Sequence, residues 1–212
     1  MNILLADDHA LIRAGLRAIL DAQPEINVIA EACDGRETLR LALETHPDVI
    51  LLDISMPGLN GFETLSRLRE IAPRSAVVIL SMHKVEEYVA RALRAGALGY
   101  VLKDSPPQVL VSAVNAAARG ERYLSPPLDF PSMEEYQRRL GQEDSLLDRL
   151  TSREREILQL LSEGNSTLSI ASQLIISPKT VESHRAHLMS KLELYDIASL
   201  TRFAVRAGLI SE

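Results

Sequence analysis

Residues 49–53 read Val49-Ile50-Leu51-Leu52-Asp53, four consecutive apolar side chains that run straight into a carboxylate. An apolar run this short, without polar alternation, suits a strand covered on both faces. Comparable runs occur at Ile3–Ala6, Val28–Ala30, Val77–Leu80 and Tyr100–Leu102, with helix-like stretches between them near 10–20, 35–45, 61–70, 85–95 and 106–118. Five βα units in this order predict a doubly wound, five-stranded parallel (βα)5 domain over residues 1–120.

The pattern breaks at residues 121–146. Pro126-Pro127, Pro131 and the charged stretch from Met133 onward read as an interdomain linker, partly helical around Glu134–Leu140. Residues 147–212 read as a second, all-helical domain of four helices, so the fold class is α/β plus all-α. Thr151 and Glu154 form a capping box that starts the first helix, and Gly164 ends it in a left-handed conformation. A short second helix carries Leu168, Ile170, Ala171 and Leu174. Ser177-Pro178 then supplies a cap followed by proline at the first helical position. That third helix runs to about Leu192, and a fourth covers about Ile197–Arg206.

With 212 residues, the chain has room for two modest cores. No apolar run approaches the ~20 residues of a membrane span. The first apolar stretch meets Asp7 and Asp8 at once, unlike a signal peptide, and a lone Cys33 excludes an internal disulfide framework and a cysteine-based zinc site. A cytoplasmic location is expected. The net charge is −6, and residues 151–212 carry seven basic against seven acidic side chains. A domain of that balance has no overall basic footprint, so any DNA-binding role must rest on local geometry.

The polar residues that follow the strands carry the chemistry. Asp7 and Asp8 follow the first strand, Asp53 the third, Ser81 the fourth and Lys103 the fifth. In an open α/β sheet those positions share the carboxyl edge, where such folds bind ligands. Clustered carboxylates repel one another unless a cation or proton intervenes. Hard oxygen donors suit Mg²⁺, and an aspartate can attack a phosphoryl donor. Lys103 and the Ser81 hydroxyl would then hold the phosphoryl oxygens. Taken singly, each of these residues is an ordinary turn, cap or solvated charge; their joint placement is what points to a site.

In the second domain, Val181, Leu188 and Leu192 recur at helical spacing and face the core. Glu182, Ser183, Ala186 and Ser190 fall on another face, flanked by Lys179, Arg185, His187 and Lys191. Small and polar residues with basic margins suit a major groove, with Glu182 accepting from a cytosine amino group. By spacing alone, a solvated helix face explains the same pattern equally well.

The segments LLADDHALIR, VILLDISMPGLNGFE, VVILSMH and GALGYVLKD closely resemble the receiver domain of response regulators. LTSREREILQLLSEGNS and SIASQLIISPKTVESHRAHLMSKLEL resemble the LuxR-type helix-turn-helix of NarL/FixJ-type regulators. The resemblance implies a two-component response regulator, a transcription factor and not an enzyme beyond promoting its own phosphorylation and dephosphorylation. It implies Asp53 as phosphoacceptor of a sensor histidine kinase, and Mg²⁺ held by Asp8, Asp53 and the Ser55 backbone carbonyl, with Asp7 acting through water. Ser81 becomes the switch hydroxyl, Tyr100 the switch aromatic and Lys103 the phosphate partner. Lys179, Thr180, Arg185 and Lys191 become phosphate contacts on double-stranded DNA, and Glu182, Ser183 and Ala186 base contacts. A homodimer after phosphorylation and RNA polymerase as a further partner belong to the same implication.

Several positions depart from the family pattern. Met82 replaces the small residue that often follows the hydroxyl, and its bulk is expected to narrow access to Asp53. Ser169 replaces a glutamate, which removes the capping box expected from Ser166, and Leu168 stands where a polar or basic residue is common. Ile175 takes a turn position where glycine is favoured, and a β-branched residue tolerates positive φ poorly. These departures and the neutral charge predict weaker or differently placed DNA contact. Two other readings use the same residues. A Mg²⁺-dependent phosphohydrolase with Asp53 as nucleophile lacks a second general acid, because Ser55 stands two residues on. A protein-interaction module would retain the helix-turn-helix without binding DNA.

Overall fold

The computed structural model describes residues 1–84, 86–126, 128 and 146–210, and the chain divides into two compact units, Met1–Tyr136 and Gln137–Glu212. The linker helix expected near 134–140 lies outside the described residues.

In the first unit, strands and helices alternate as β1 (Asn2–Ala6), α1 (Ala10–Asp21), β2 (Asn27–Ala32), α2 (Gly35–Thr45), β3 (Val49–Asp53) and α3 (Gly61–Ile71). They continue as β4 (Ala76–Ser81), α4 (Glu86–Arg94), β5 (Gly99–Leu102), α5 (Pro107–Ala118) and β6 (Tyr123–Leu124). All neighbours in the sheet are parallel, in the order β2-β1-β3-β4-β5-β6.

The apolar runs split by the two-residue period of a strand. Leu4, Ala6, Ile50, Leu52, Ile79 and Tyr100 face one core, closed by Ala42, Phe62, Leu65, Leu68 and Val89 from α2, α3 and α4. Ile3, Leu5, Val49, Leu51, Val78, Leu80 and Val101 face the other, closed by Leu20 of α1 and by Leu110, Ala113, Val114 and Ala117 of α5. Each fully buried Leu, Ile or Val contributes about 1.5–3 kcal/mol of transfer free energy. A run such as Val49–Leu52 thus feeds two cores at once, which is why it shows no polar alternation.

The sheet has six strands rather than the five expected. Tyr123 N–H donates to the Leu98 carbonyl at 2.9 Å and Ser125 N–H to the Tyr100 carbonyl at 3.0 Å, so this segment pairs along the outer side of β5. The sixth strand is only two residues long, too short for any periodicity to reveal.

Asn60 caps α3 by accepting from Glu63 N–H. A Cβ on Gly61, the first residue of that helix, would lie 2.3 Å from the Asp53 carbonyl oxygen. Only glycine lets α3 start this close to the end of β3.

The second unit opens with a 3₁₀ turn, Leu146–Arg149, followed by α6 (Ser152–Ser162), α7 (Thr167–Leu174), α8 (Pro178–Leu192) and α9 (Ile197–Arg206). The Thr151/Glu154 capping box is present in both directions, and Gly164 is left-handed at φ 84°. Ile157, Leu158, Ile170, Leu174, Val181, Leu188, Leu192 and Leu200 form one core.

Candidate functional site

Three side chains meet at the carboxyl edge of the first unit. The Lys103 ammonium lies 2.7 Å from Asp7 Oδ2 and 2.8 Å from Asp53 Oδ2. Asp7 and Asp53 are at most 1% exposed. Their other oxygens accept backbone donors: Asp7 Oδ1 from His9 N–H at 2.8 Å, and Asp53 Oδ1 from Ser55 N–H at 3.2 Å. The turn after β1 is held by Arg13, whose guanidinium donates to the Asp7 carbonyl at 2.6 Å and pairs with Glu31 at 3.0 Å. Asp8 is half-buried beside them, with Oδ1 at 2.6 Å from His9 Nδ1.

Burial, with a smaller contribution from Asp7, pushes the Asp53 carboxyl above the usual aspartate range, although Lys103 pulls it down. Burial also works against the Lys103 charge, but Asp53 and Asp7 outweigh it and hold the ammonium above its ordinary value. Two carboxylates thus share one cation in a place where neither is well hydrated.

Asp7, Asp8, His9 and Asp53 each offer a ligand atom, and these atoms lie within 4.8 Å of one another. Oxygen donors dominate that set, and two of the carboxylates are buried, so the cluster fits a hard divalent cation.

Ser81 ends β4 beside this cluster, since Asp53 pairs with Leu80 in the sheet register. Ser81 is buried, and its Oγ accepts from His83 N–H at 3.0 Å. Tyr100 is fully buried, and its hydroxyl donates to the His83 carbonyl at 2.9 Å. Burial pushes the Tyr100 phenol well above its ordinary value. The His83 ring stacks on Tyr88 of α4 at 4.3 Å between centroids, and the same burial lowers its pKa. Met82 turns outward and is 63% exposed.

In the second unit, α8 starts from a Ser177 cap that accepts from Thr180 N–H at 3.1 Å. Val181, Leu188 and Leu192 are buried, while Lys179, Glu182, Ser183 and Ala186 are exposed and Thr180, Arg185 and Lys191 half-buried. Four of these side chains are already engaged: the Thr180 hydroxyl lies 2.8 Å from that of Ser177, and Arg185 lies 3.8 Å from Glu182 Oε2. Glu182 Oε1 accepts from the Thr167 hydroxyl at 2.6 Å, and Lys191 pairs at 2.6 Å with Glu154, the capping-box residue of α6.

The departures have visible consequences. Ser166 still accepts from Ser169 N–H at 3.2 Å, so half of the capping box survives without its glutamate. Ile175 sits in the left-handed region at φ 54° with 92% of its surface exposed, and Leu168 is 71% exposed.

Sequence reasoning missed the residues that act through tertiary contacts. Thr167 approaches Glu182 from another helix, Glu154 anchors Lys191 across 37 positions, and His83 contributes a backbone carbonyl. Only Glu154 carried a sequence signal, and that signal spoke of capping.

A parallel sheet with a lysine-bridged carboxylate pair at its carboxyl edge, in a chain that also carries a capped helix-turn-helix, defines a class of switchable DNA-binding protein. Residues 3–115 match the family model described as response regulator receiver domain, and residues 148–204 the one described as bacterial regulatory proteins, luxR family. The chain belongs to the two-component response regulators, with a receiver domain and a LuxR-type DNA-binding domain. It is a transcription regulator and not a classical enzyme. It is 37% identical over 215 residues to the oxygen regulatory protein NreC of Staphylococcus carnosus, covering 99% of each chain. It resembles the crystal structure of response regulator ChrA from a heme-sensing two-component system, with a TM-score of 0.53 and 36% identity over 99% of this chain and 98% of that one. The structure of two RcsB dimers bound to two parallel DNAs matches with a TM-score of 0.58 and 25% identity over 96% of each chain. Among the described residues, no helix is long and apolar enough to cross a membrane.

Proposed function

We propose that Asp53 is the phosphoacceptor and that its phosphorylation by a sensor histidine kinase controls binding of the second unit to specific double-stranded DNA. The observation that carries this reading is the Lys103 bridge between Asp7 and Asp53 at 2.7 and 2.8 Å. It places an ammonium where charge builds up on a transferred phosphoryl group. Asp8, Asp53 and the Ser55 carbonyl would hold Mg²⁺ directly, and Asp7 through water. Bound there, the cation would neutralise the carboxylates and draw phosphoryl oxygens toward the edge.

The chain's own residues do the rest. An Asp53 carboxylate oxygen attacks phosphorus, and the donor's leaving group departs with its electron pair. Lys103 pairs with the new phosphoryl oxygens, and the Ser81 hydroxyl donates to another. Its oxygen can keep accepting from His83 N–H as it does so, and a shift of Ser81 toward the phosphoryl group then draws along the His83 loop and the Tyr100 hydroxyl held by the His83 carbonyl. The receiver thereby promotes its own phosphorylation and later hydrolysis.

For the output, Lys179, Thr180, Arg185 and Lys191 contact phosphates, and Glu182, Ser183 and Ala186 face base edges. Lys191 would have to leave or share Glu154 to reach DNA. The working form is a cytoplasmic homodimer that can engage RNA polymerase. Residues 1–120 receive the signal, 121–146 connect, with Tyr123 and Leu124 paired onto the sheet, and 147–212 bind DNA.

Incubation with a small phosphodonor followed by intact mass measurement tests the acceptor. The wild-type chain gains one phosphoryl group and Asp53→Asn gains none; equal labelling of both would refute the assignment. Phosphorylation that leaves DNA affinity unchanged would refute the coupling.

A further inference from the structure

Glu182 is the only acidic residue of α8. On a surface that meets a polyanion, a carboxylate opposes binding unless it finds a donor, and in the major groove the cytosine amino group is the partner it accepts from. A glutamate side chain turns about three torsions, so its selectivity depends on what fixes the carboxylate.

Two groups engage it, one at each carboxylate oxygen. The Thr167 hydroxyl donates to Oε1 at 2.6 Å, and the Arg185 guanidinium lies 3.8 Å from Oε2. Thr167 is the first residue of α7, directly after the Ser166 cap, so its backbone is fixed by a helix start. Its β-branched side chain has few rotamers. An ionised carboxylate only accepts, so the Thr167 proton is committed to Glu182. The contact spans 15 positions and joins the two helices of the helix-turn-helix.

The geometry points to Thr167 as a specificity-determining residue that never touches a base: its hydroxyl fixes the Glu182 carboxylate and thereby selects the base pair that α8 reads. This rests on Glu182 being a base-reading side chain. Thr167 is a positioning residue, and removing its hydroxyl releases Glu182 to swing or to close on Arg185. Discrimination at one base pair then falls, while the phosphate contacts that dominate general affinity stay in place.

The test is selection from a randomised duplex library by the full-length phosphorylated chain, compared among wild type, Thr167→Val, Thr167→Ser and Glu182→Gln. Valine keeps the shape and deletes the donor; serine keeps the donor. Thr167→Val is expected to lower discrimination by about 5-fold at the base pair altered by Glu182→Gln. Binding to mixed-sequence duplex should be unchanged, and Thr167→Ser should restore the wild-type preference. A wild-type preference in Thr167→Val, with Glu182→Gln altered, overturns the positioning role alone. A uniform loss over all sequences in both Thr167 variants overturns it in favour of a structural role. An unchanged preference in Glu182→Gln overturns the base-reading assignment and this inference with it.

Discussion

Lys103, directly after β5, and Asp53 of β3 are joined across β4: the strand between them supplies Ser81, whose carbonyl accepts from Lys103 N–H at 2.9 Å while the Lys103 ammonium reaches Asp53 at 2.8 Å. The lysine is thus fixed at both ends, by its backbone on the neighbouring strand and by its charge on two carboxylates.

Removing that cation should expose the repulsion it suppresses. Lys103→Ala leaves Asp7 and Asp53 buried and facing each other, and loss of one partner from a buried ion pair costs about 3–5 kcal/mol. A divalent cation then becomes the substitute. Denaturant unfolding with chelator and with Mg²⁺ should show a larger stabilisation by Mg²⁺ in the variant than in the wild type. Equal increments would mean that Lys103 does not neutralise the carboxylates.

This cluster was legible in the sequence because each member sits at a strand end, and a strand end can be located from apolar runs such as Val49–Leu52. The sheet then does the assembly, since parallel strands bring their carboxyl ends to one edge. The sixth strand was not legible, because Tyr123-Leu124 pairs by backbone alone and carries no pattern. The second unit shows the same boundary. Thr151, Glu154, Gly164 and Ser177 act on backbone three residues away or nearer, so local sequence reveals them. Thr167–Glu182 and Lys191–Glu154 depend on how helices pack, and pairing partners at that distance leave no local trace. Exposure of Leu168 and Ile175 likewise follows from packing, which turns outward one face of α7 and the residue that caps its end.

The Lys191–Glu154 pair predicts a pH dependence of the second unit. Burial raises the Glu154 carboxyl, but Lys191 and the Thr151 donors outweigh it and leave it below its ordinary value of 4.5. A depressed native pKa contributes stability that is fully present above the unfolded value and lost as pH falls through the native one. Lys191→Met should therefore cost about 1 kcal/mol at pH 7, less than a fully buried pair because Lys191 is 38% exposed and partly screened. The difference from wild type should shrink as pH falls below the ordinary glutamate range. Urea midpoints measured between pH 7 and pH 3 provide the check, and a constant difference would assign the effect to packing of the lysine stem.

Lys179 makes a separate prediction about DNA. It is exposed at the start of α8, beside the Ser177 cap, where a cation can reach a phosphate without contacting a base. Lys179→Ala should weaken binding to all sequences alike and reduce the slope of log affinity against log salt by about 0.9 for each protomer that engages DNA. Titrations at several salt concentrations would show it. A loss confined to one sequence, with an unchanged slope, would instead make Lys179 a base contact.

Ile175 is where the sequence departs from what its backbone asks. At φ 54° a β-branched side chain crowds its own backbone, at a cost of about 1–2 kcal/mol relative to a residue that accepts this region. Burial offers almost no compensation, since the residue remains 92% exposed. Glycine relieves the crowding but makes the unfolded chain more flexible, which offsets part of the gain. Ile175→Gly is thus expected to stabilise the second unit by about 1 kcal/mol, read as a higher denaturant midpoint with an unchanged slope. Ile175→Asn should move in the same direction, because asparagine visits left-handed conformations more readily than isoleucine. If both variants unfold at the wild-type midpoint, the strain is already relieved elsewhere in the turn. If both are destabilised while DNA affinity also falls, Ile175 is held in this conformation by a contact made on the DNA-binding side of the helix-turn-helix.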